Sequence, residues 1–213
     1  GETRGTLEAL LKEVQTTIDG LARARVMLAQ GEQRLKDREP DQAEKSFRDG
    51  LEAERERDAD LHQRLLAGLR QADRLQQDVR RLHERALNNA DENERLRLFK
   101  EAHDAWPTAP GLLDAYVDAL LAAAQAACFS MAFANLLASR GHVPEEVASK
   151  AVCHMTPVSG GYRISRMHIE AVVRVTGLDE PALRALAKEA ETQCPVANAL
   201  RPAMPVDVEV SLA

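Results

Sequence analysis

The sequence predicts an α+β protein whose first half is entirely helical. Two patterns carry this reading. Up to about residue 117 the apolar residues recur every three and four positions, which gathers them on one face of helices. After Gly141 they alternate with polar residues, which gathers them on one face of strands. Composition agrees with a helical majority. Of 213 residues 45% are hydrophobic but only 3% aromatic, so the core is built from Ala, Leu and Val. The abundance of Ala, Leu, Glu and Arg favours helix. The division expected is a helical region, residues 1–117, of hairpins or coiled-coil-like helices, and an α+β domain, residues 118–213.

The first helix is predicted over Thr6–Lys36, with Leu7, Leu10, Leu11, Val14, Ile18 and Leu21 along one stripe. Asp37-Arg38-Glu39-Pro40 breaks it. Asp41 then opens a second helix, with Glu44 three residues on as its capping-box partner and Ala43, Phe47 and Leu51 as its apolar face. Leu61, Leu65, Gly68, Ala72, Leu75, Val79, Leu82 and Ala86 step by threes and fours, the seam of a coiled coil or helical hairpin. Phe99, Ala102 and Pro107 resemble the second helix of a tetratricopeptide repeat, and Gly31, Ala43, Phe47 and Gly50 echo it. The two phenylalanines are 52 positions apart, however, against the roughly 34 of that repeat.

Ala119–Ala138 carries no formal charge, a length that could span a bilayer. Its Ala content, with Gln125, Ser130 and Asn135, reads instead as a buried central helix. Beyond it, Val147–Met155 and a strand from Arg166 to Val175 form an antiparallel hairpin, turned at Pro157-Val158-Ser159-Gly160-Gly161. Met167, Ile169, Ala171, Val173 and Val175 face its core side. Asp179 caps a helix with Leu183, Leu186, Ala187 and Ala190 inward. A strand of Val206, Val208, Val210 and Leu212 alternating with Asp207, Glu209 and Ser211 ends the order.

The net charge of −6 leaves no basic footprint for nucleic acid or an anionic membrane. Three cysteines, an odd number, and no signal-peptide pattern point to a reducing, cytoplasmic setting, where a disulfide is catalytic or transient. The six histidines show no ligand spacing, so neither metal nor cofactor is expected.

Two cysteines stand in distinctive surroundings. Cys194 precedes Pro195, a residue favoured at the first helical position. As an N-cap its sulfur would meet the positive end of a helix, which lowers a thiol pKa. Cys128 lies in the apolar helix, with Leu121, Ala124, Gln125, Met131, Ala132 and Asn135 on its side. A thiol there is held protonated unless a cation approaches. Cys153, beside His154 in a strand, reads as structural.

Ala126-Ala127-Cys128-Phe129-Ser130-Met131-Ala132, then Gly141 and Pro144-Glu145, then Cys194-Pro195-Val196-Ala197-Asn198-Ala199-Leu200 resemble the OsmC/Ohr family of osmotically inducible and organic-hydroperoxide-resistance proteins. The likeness covers roughly the last 95 residues and makes this region a truncated OsmC-like domain with a long central helix and antiparallel strands. It implies a cysteine-based peroxidase acting on organic hydroperoxides. Cys128 would be the peroxidatic cysteine and Cys194 the resolving one, joined through a sulfenic acid into a disulfide. A lipoyl-type dithiol would reduce the disulfide, and a homodimer is implied. Relatives carry a glutamate ten positions before the first cysteine, orienting an arginine that stabilises the thiolate. Asp118 stands at that position, and the strands and arginine preceding it in relatives have helical sequence in their place. Two functions follow as expectations: a thiol peroxidase behind a helical region that binds a protein partner, or a helical scaffold carrying an inert OsmC-like dimerisation module.

Overall fold

A 35-residue helix, α1 (Glu2–Lys36), opens the computed structural model, which describes residues 2–159 and 161–213. It is followed by α2 (Pro40–Glu54) and α3 (Ala59–Leu87), which pack against each other and against the second half of α1. The expected capping box is not formed. Helix α2 begins one residue earlier, on Pro40, with Glu39 as an N-cap that makes no side-chain hydrogen bond. Proline's fixed φ and missing N–H suit the first helical position, so it displaces Asp41 into the first turn. Glu44 instead accepts a hydrogen bond from Gln76 Nε2 at 2.7 Å, which ties α2 to α3.

Phe47 is the hub of this first core. Its ring is fully buried between Gly31 on α1 and Gly68 on α3. A Cβ on either glycine would overlap the ring, at 2.5 Å from its carbons in the case of Gly68. Leu61, Leu65, Ala72, Val79 and Ala86 are buried along α3, as the seam predicts. The turn into α3 is held by side chains. Asp58 Oδ1 accepts from the Leu61 N–H at 3.1 Å. The fully buried Glu54 carboxylate accepts from the N–H groups of Glu56 and Asp58 and lies 2.8 Å from His62 Nδ1.

The stripe predicted on the first half of α1 is a helix face, but not a buried one. Leu7, Leu10, Leu11, Val14 and Ile18 are each more than half exposed, whereas Ala24 and Leu28 further on are buried. Length explains it. A 15-residue α2 spans about 22 Å and cannot cover an α1 of about 52 Å. Lengths also separate this region from a tetratricopeptide array, because α1 alone is as long as one whole repeat.

Helix α4 (Glu92–Ala105) buries Leu98, Phe99 and Ala102, and α5 (Leu112–Ser139) follows. By its internal contacts the chain divides into Gly1–Ala90 with Arg97–Leu113, and Asp91–Leu96 with Asp114–Ala213. The expected boundary at 117/118 therefore falls inside α5, four residues from the observed one. The first turns of α4 belong with the second unit.

In the second unit α5 lies on a three-stranded sheet with order β1-β2-β3, formed by β1 (Glu146–Val158), β2 (Gly161–Arg174) and β3 (Val206–Leu212). Gly141, at φ 84°, stands where the helix has ended, in the left-handed conformation that glycine adopts without a Cβ penalty. Strands β1 and β2 form the antiparallel hairpin, with a bulge between His154 and Met155. Gly160 of its turn lies outside the described residues. Strand β3 departs from the antiparallel expectation: it runs parallel to β2, from Met167↔Val206 to Val173↔Leu212. A parallel neighbour requires a crossover. Two helices, α6 (Glu180–Gln193) and α7 (Pro195–Leu200), supply it. Asp179 caps α6 as expected, accepting from the Ala182 N–H at 2.9 Å.

The core lies between α5, α6 and one face of the sheet, and includes Phe129, Phe133, Leu137, Met167, Ile169 and Leu183. Helix α5 is long and apolar enough to cross a membrane by length and composition, but this face of it is packed in protein. Its other face is also apolar and is exposed at Val117, Leu120 and Met131.

Candidate functional site

Cys128 and Cys194 meet. Their sulfur atoms are 3.0 Å apart, in direct contact as free thiols and about 1 Å farther apart than in a disulfide bond. Cys128 sits midway along α5 and is half-buried. Cys194 is the one-residue joint between α6 and α7 and is fully buried.

Proline sets that joint. The residue before a proline is driven out of the helical region into extended backbone. Cys194 adopts φ −71°, ψ 118°, which ends α6, while Pro195 starts α7. The joint is then clamped around the thiol. Arg201 donates to the Glu191 carboxylate at 2.5 Å and to the Asn198 side-chain oxygen at 2.5 Å, and Asn198 donates to the Thr192 carbonyl at 3.0 Å. The Asn198 N–H also bonds back to the Cys194 carbonyl at 2.9 Å.

The N-cap position does not make Cys194 acidic. Burial pushes its thiol above the ordinary value, and the hydrogen bond with Cys128 pushes it the same way; the N–H groups of Ala197 and Val196 pull it back only in part. Cys194 makes no side-chain capping bond, and α7 is only six residues long, so the helix end has little field to set against burial. The outcome is a protonated Cys194 whose S–H points at the Cys128 sulfur.

Among the described residues no hydrogen bond or ion pair joins Cys128 to a cation. The arginines nearest in sequence are engaged elsewhere. Arg95 faces Glu92 at 3.8 Å, Arg97 pairs with Glu101 at 3.1 Å and Arg140 with Glu189 at 2.6 Å.

Asp118 does not touch the thiol pair. Helix α5 is continuous, so ten residues place Asp118 about 15 Å along the axis from Cys128. Burial, with Asp114 adding, raises its carboxyl above the usual range. Its neighbour is the third cysteine: Cys153 donates to the Asp118 backbone carbonyl at 3.6 Å. Burial, then the Asp118 charge, push the Cys153 thiol up to about 11.

Gln125 joins the pair, one turn before Cys128 on the same helix. It is fully buried and donates from Nε2 to the Cys194 sulfur at 3.6 Å, while its Oε1 has no hydrogen-bond partner. The helical pattern places Gln125 beside Cys128 without assigning it a contact, and the Glu191–Arg201 clamp has no sequence signal. Among the described residues there is no cluster of three His, Cys, Asp or Glu that could hold a metal.

Residues 118–209 match a family described as OsmC-like protein. The Peroxiredoxin OsmC of Escherichia coli (strain K12) and that of Shigella flexneri are each 30% identical to this chain over 91 residues, 43% of this chain and 64% of theirs. The chain thus spans less than two thirds of the length of these curated relatives. Among solved structures, the organic hydroperoxide resistance protein OsmC from Legionella pneumophila is 26% identical and covers 44% of this chain and 67% of its own, with a TM-score of 0.37. An organic hydroperoxide resistance protein from Elizabethkingia anophelis is 25% identical, covering 45% and 67%, with a TM-score of 0.40. The likeness of the C-terminal half to OsmC and organic hydroperoxide resistance proteins runs from Asp118 to Glu209.

Proposed function

We propose, taking the likeness of residues 118–209 to OsmC-like proteins as the premise, that this chain is a thiol-dependent peroxidase for organic hydroperoxides. One observation supports it above the others: two reduced cysteines from separate elements hold their sulfurs 3.0 Å apart. Cys128, the more accessible, is the peroxidatic residue, and the buried Cys194 resolves it.

Cys128 loses its proton to solvent, and the thiolate attacks the outer oxygen of R′OOH. The S–O bond forms, the O–O bond breaks, and R′O⁻ takes a proton from water to leave as R′OH. Cys128 is now the sulfenic acid, oxidised by two electrons. The Cys194 sulfur then attacks the Cys128 sulfur, the S–S bond forms, and the hydroxyl leaves with a proton as water. The donor that faces this sulfur among the described residues is the Cys194 S–H, which supports the charge as Cys128 becomes negative. Apolar, exposed residues on the same helix near Cys128, Ala124, Ala127 and Met131, favour approach of a hydrocarbon-bearing peroxide.

The disulfide is returned to thiols by a dithiol of the lipoyl type. It attacks the accessible Cys128 sulfur, releases Cys194, and closes its own disulfide. The exposed apolar residues near the start of α5, Val117 and Leu120, are suited to a second copy of the chain, making a homodimer, and the exposed stripe on α1 offers a surface for a protein partner. Thiols kept reduced in this way fit a cytoplasmic setting.

The test is a pair of single substitutions. Cys194→Ser should still consume one equivalent of cumene hydroperoxide and then accumulate a sulfenic acid on Cys128, trapped by dimedone. Cys128→Ser should consume none. Equal consumption by both variants would mean that this pair is not the reacting centre, leaving the chain as a helical scaffold with an inert module.

A further inference from the structure

We propose that Gln125 is the positioning residue of the resolving step: its side-chain amide holds the Cys194 sulfur against Cys128 and supports that sulfur as it becomes the attacking thiolate. The proposal rests on the peroxidase reading for its biological setting, but the chemistry concerns only the two thiols. Three observations carry it. Gln125 is fully buried on the helix that bears Cys128, three residues before it, so both side chains point to one side. Its Nε2 donates to the Cys194 sulfur at 3.6 Å. Its Oε1 is buried with no partner.

Stability does not explain this arrangement. A buried amide with one end unsatisfied and the other on a neutral sulfur costs more than an apolar side chain of the same length. The contact strengthens only when Cys194 carries charge, because N–H donors bind a thiolate far better than a thiol. That charge is needed at one moment, when Cys194 attacks an oxidised Cys128, and the burial around Cys194 otherwise opposes it. Gln125 is a donor that reaches the sulfur from outside the α6–α7 joint.

The experiment uses the full chain carrying Cys153→Ser, so that only the pair reacts, and dithiobis(nitrobenzoate) as the oxidant in place of a peroxide. Cys128 thiolate displaces one nitrothiobenzoate and becomes a mixed disulfide; Cys194 thiolate then displaces the second and closes the Cys128–Cys194 bond. The two releases are read as two phases. Gln125→Met, or Gln125→Leu if methionine does not pack, should affect the first phase, a reaction of Cys128, far less than the second. It should slow the second about tenfold, the loss of one hydrogen bond to a charged sulfur, and move its pH profile to higher pH. Two phases that superimpose on the parent at every pH would overturn the proposal. A slower first phase with the second unchanged would do so too, placing Gln125 on Cys128 instead. If the parent closes the disulfide with this reagent but not with a hydroperoxide, the peroxidase reading fails while the role of Gln125 is still measured.

Discussion

Two free thiols whose sulfurs lie 3.0 Å apart differ in burial, and burial acts on their acidity. Cys194 is fully enclosed, and burial pushes its thiol up, whereas Cys128 is half-exposed. That asymmetry is what the proposed roles of the two cysteines rest on. The third cysteine is the built-in control. With its thiol at about 11, Cys153 is protonated at neutral pH and inert. A chain carrying Cys128→Ser and Cys194→Ser should therefore resist iodoacetamide at pH about 8 and alkylate only as pH climbs toward that value. Rapid labelling of Cys153 at pH about 8 would show that neither its burial nor the Asp118 charge controls it. Asp118 stands ten residues before Cys128 in the sequence, and a continuous helix separates the two. Register along a sequence does not reveal whether the backbone between two positions is helical or folded back.

Elements show the same division between what pattern reveals and what it hides. The α3 seam, the hairpin and the cap at Asp179 were all readable, because each depends on residues close in sequence. The parallel direction of β3 was not, since it depends on the whole crossover through α6 and α7. Nor was the exposure of Leu7 to Ile18, which follows from the shortness of a different helix. Phe47 was readable as core, while the need for Gly31 and Gly68 around it is a matter of three helices converging. Gly68→Ala tests that convergence. Alanine gains about 1 kcal/mol in helix propensity. Against this, relieving a 2.5 Å contact with a ring pinned from its other side by Gly31 costs about 1–3 kcal/mol. The steric cost should win, lowering the midpoint of thermal unfolding followed by circular dichroism. An unchanged or raised midpoint would mean that the ring has room to move.

At the scale of the whole molecule the chain is two units, each with its own core, and the second holds the thiol pair. Its central helix leaves Val117 and Leu120 in solvent near its start, although they are as apolar as the buried face. Such a face is stable when a second copy covers it. Light scattering should give twice the 23.4 kDa of the chain, and Leu120→Asp should return the mass to that of one chain. A parent that is already monomeric would leave this face to another partner. The thiol site does not depend on that outcome, because both cysteines and Gln125 come from one chain.

Peptide mapping after oxidation shows whether Cys128 and Cys194 act as one redox pair. The full chain is treated with one equivalent of cumene hydroperoxide, quenched by alkylation and digested without reductant. The expected product is a single cross-linked species joining the peptides of Cys128 and Cys194, lighter by two hydrogens, with Cys153 alkylated separately. Recovery of Cys128 and Cys194 as free, alkylated thiols, or a cross-link through Cys153, would contradict that pairing.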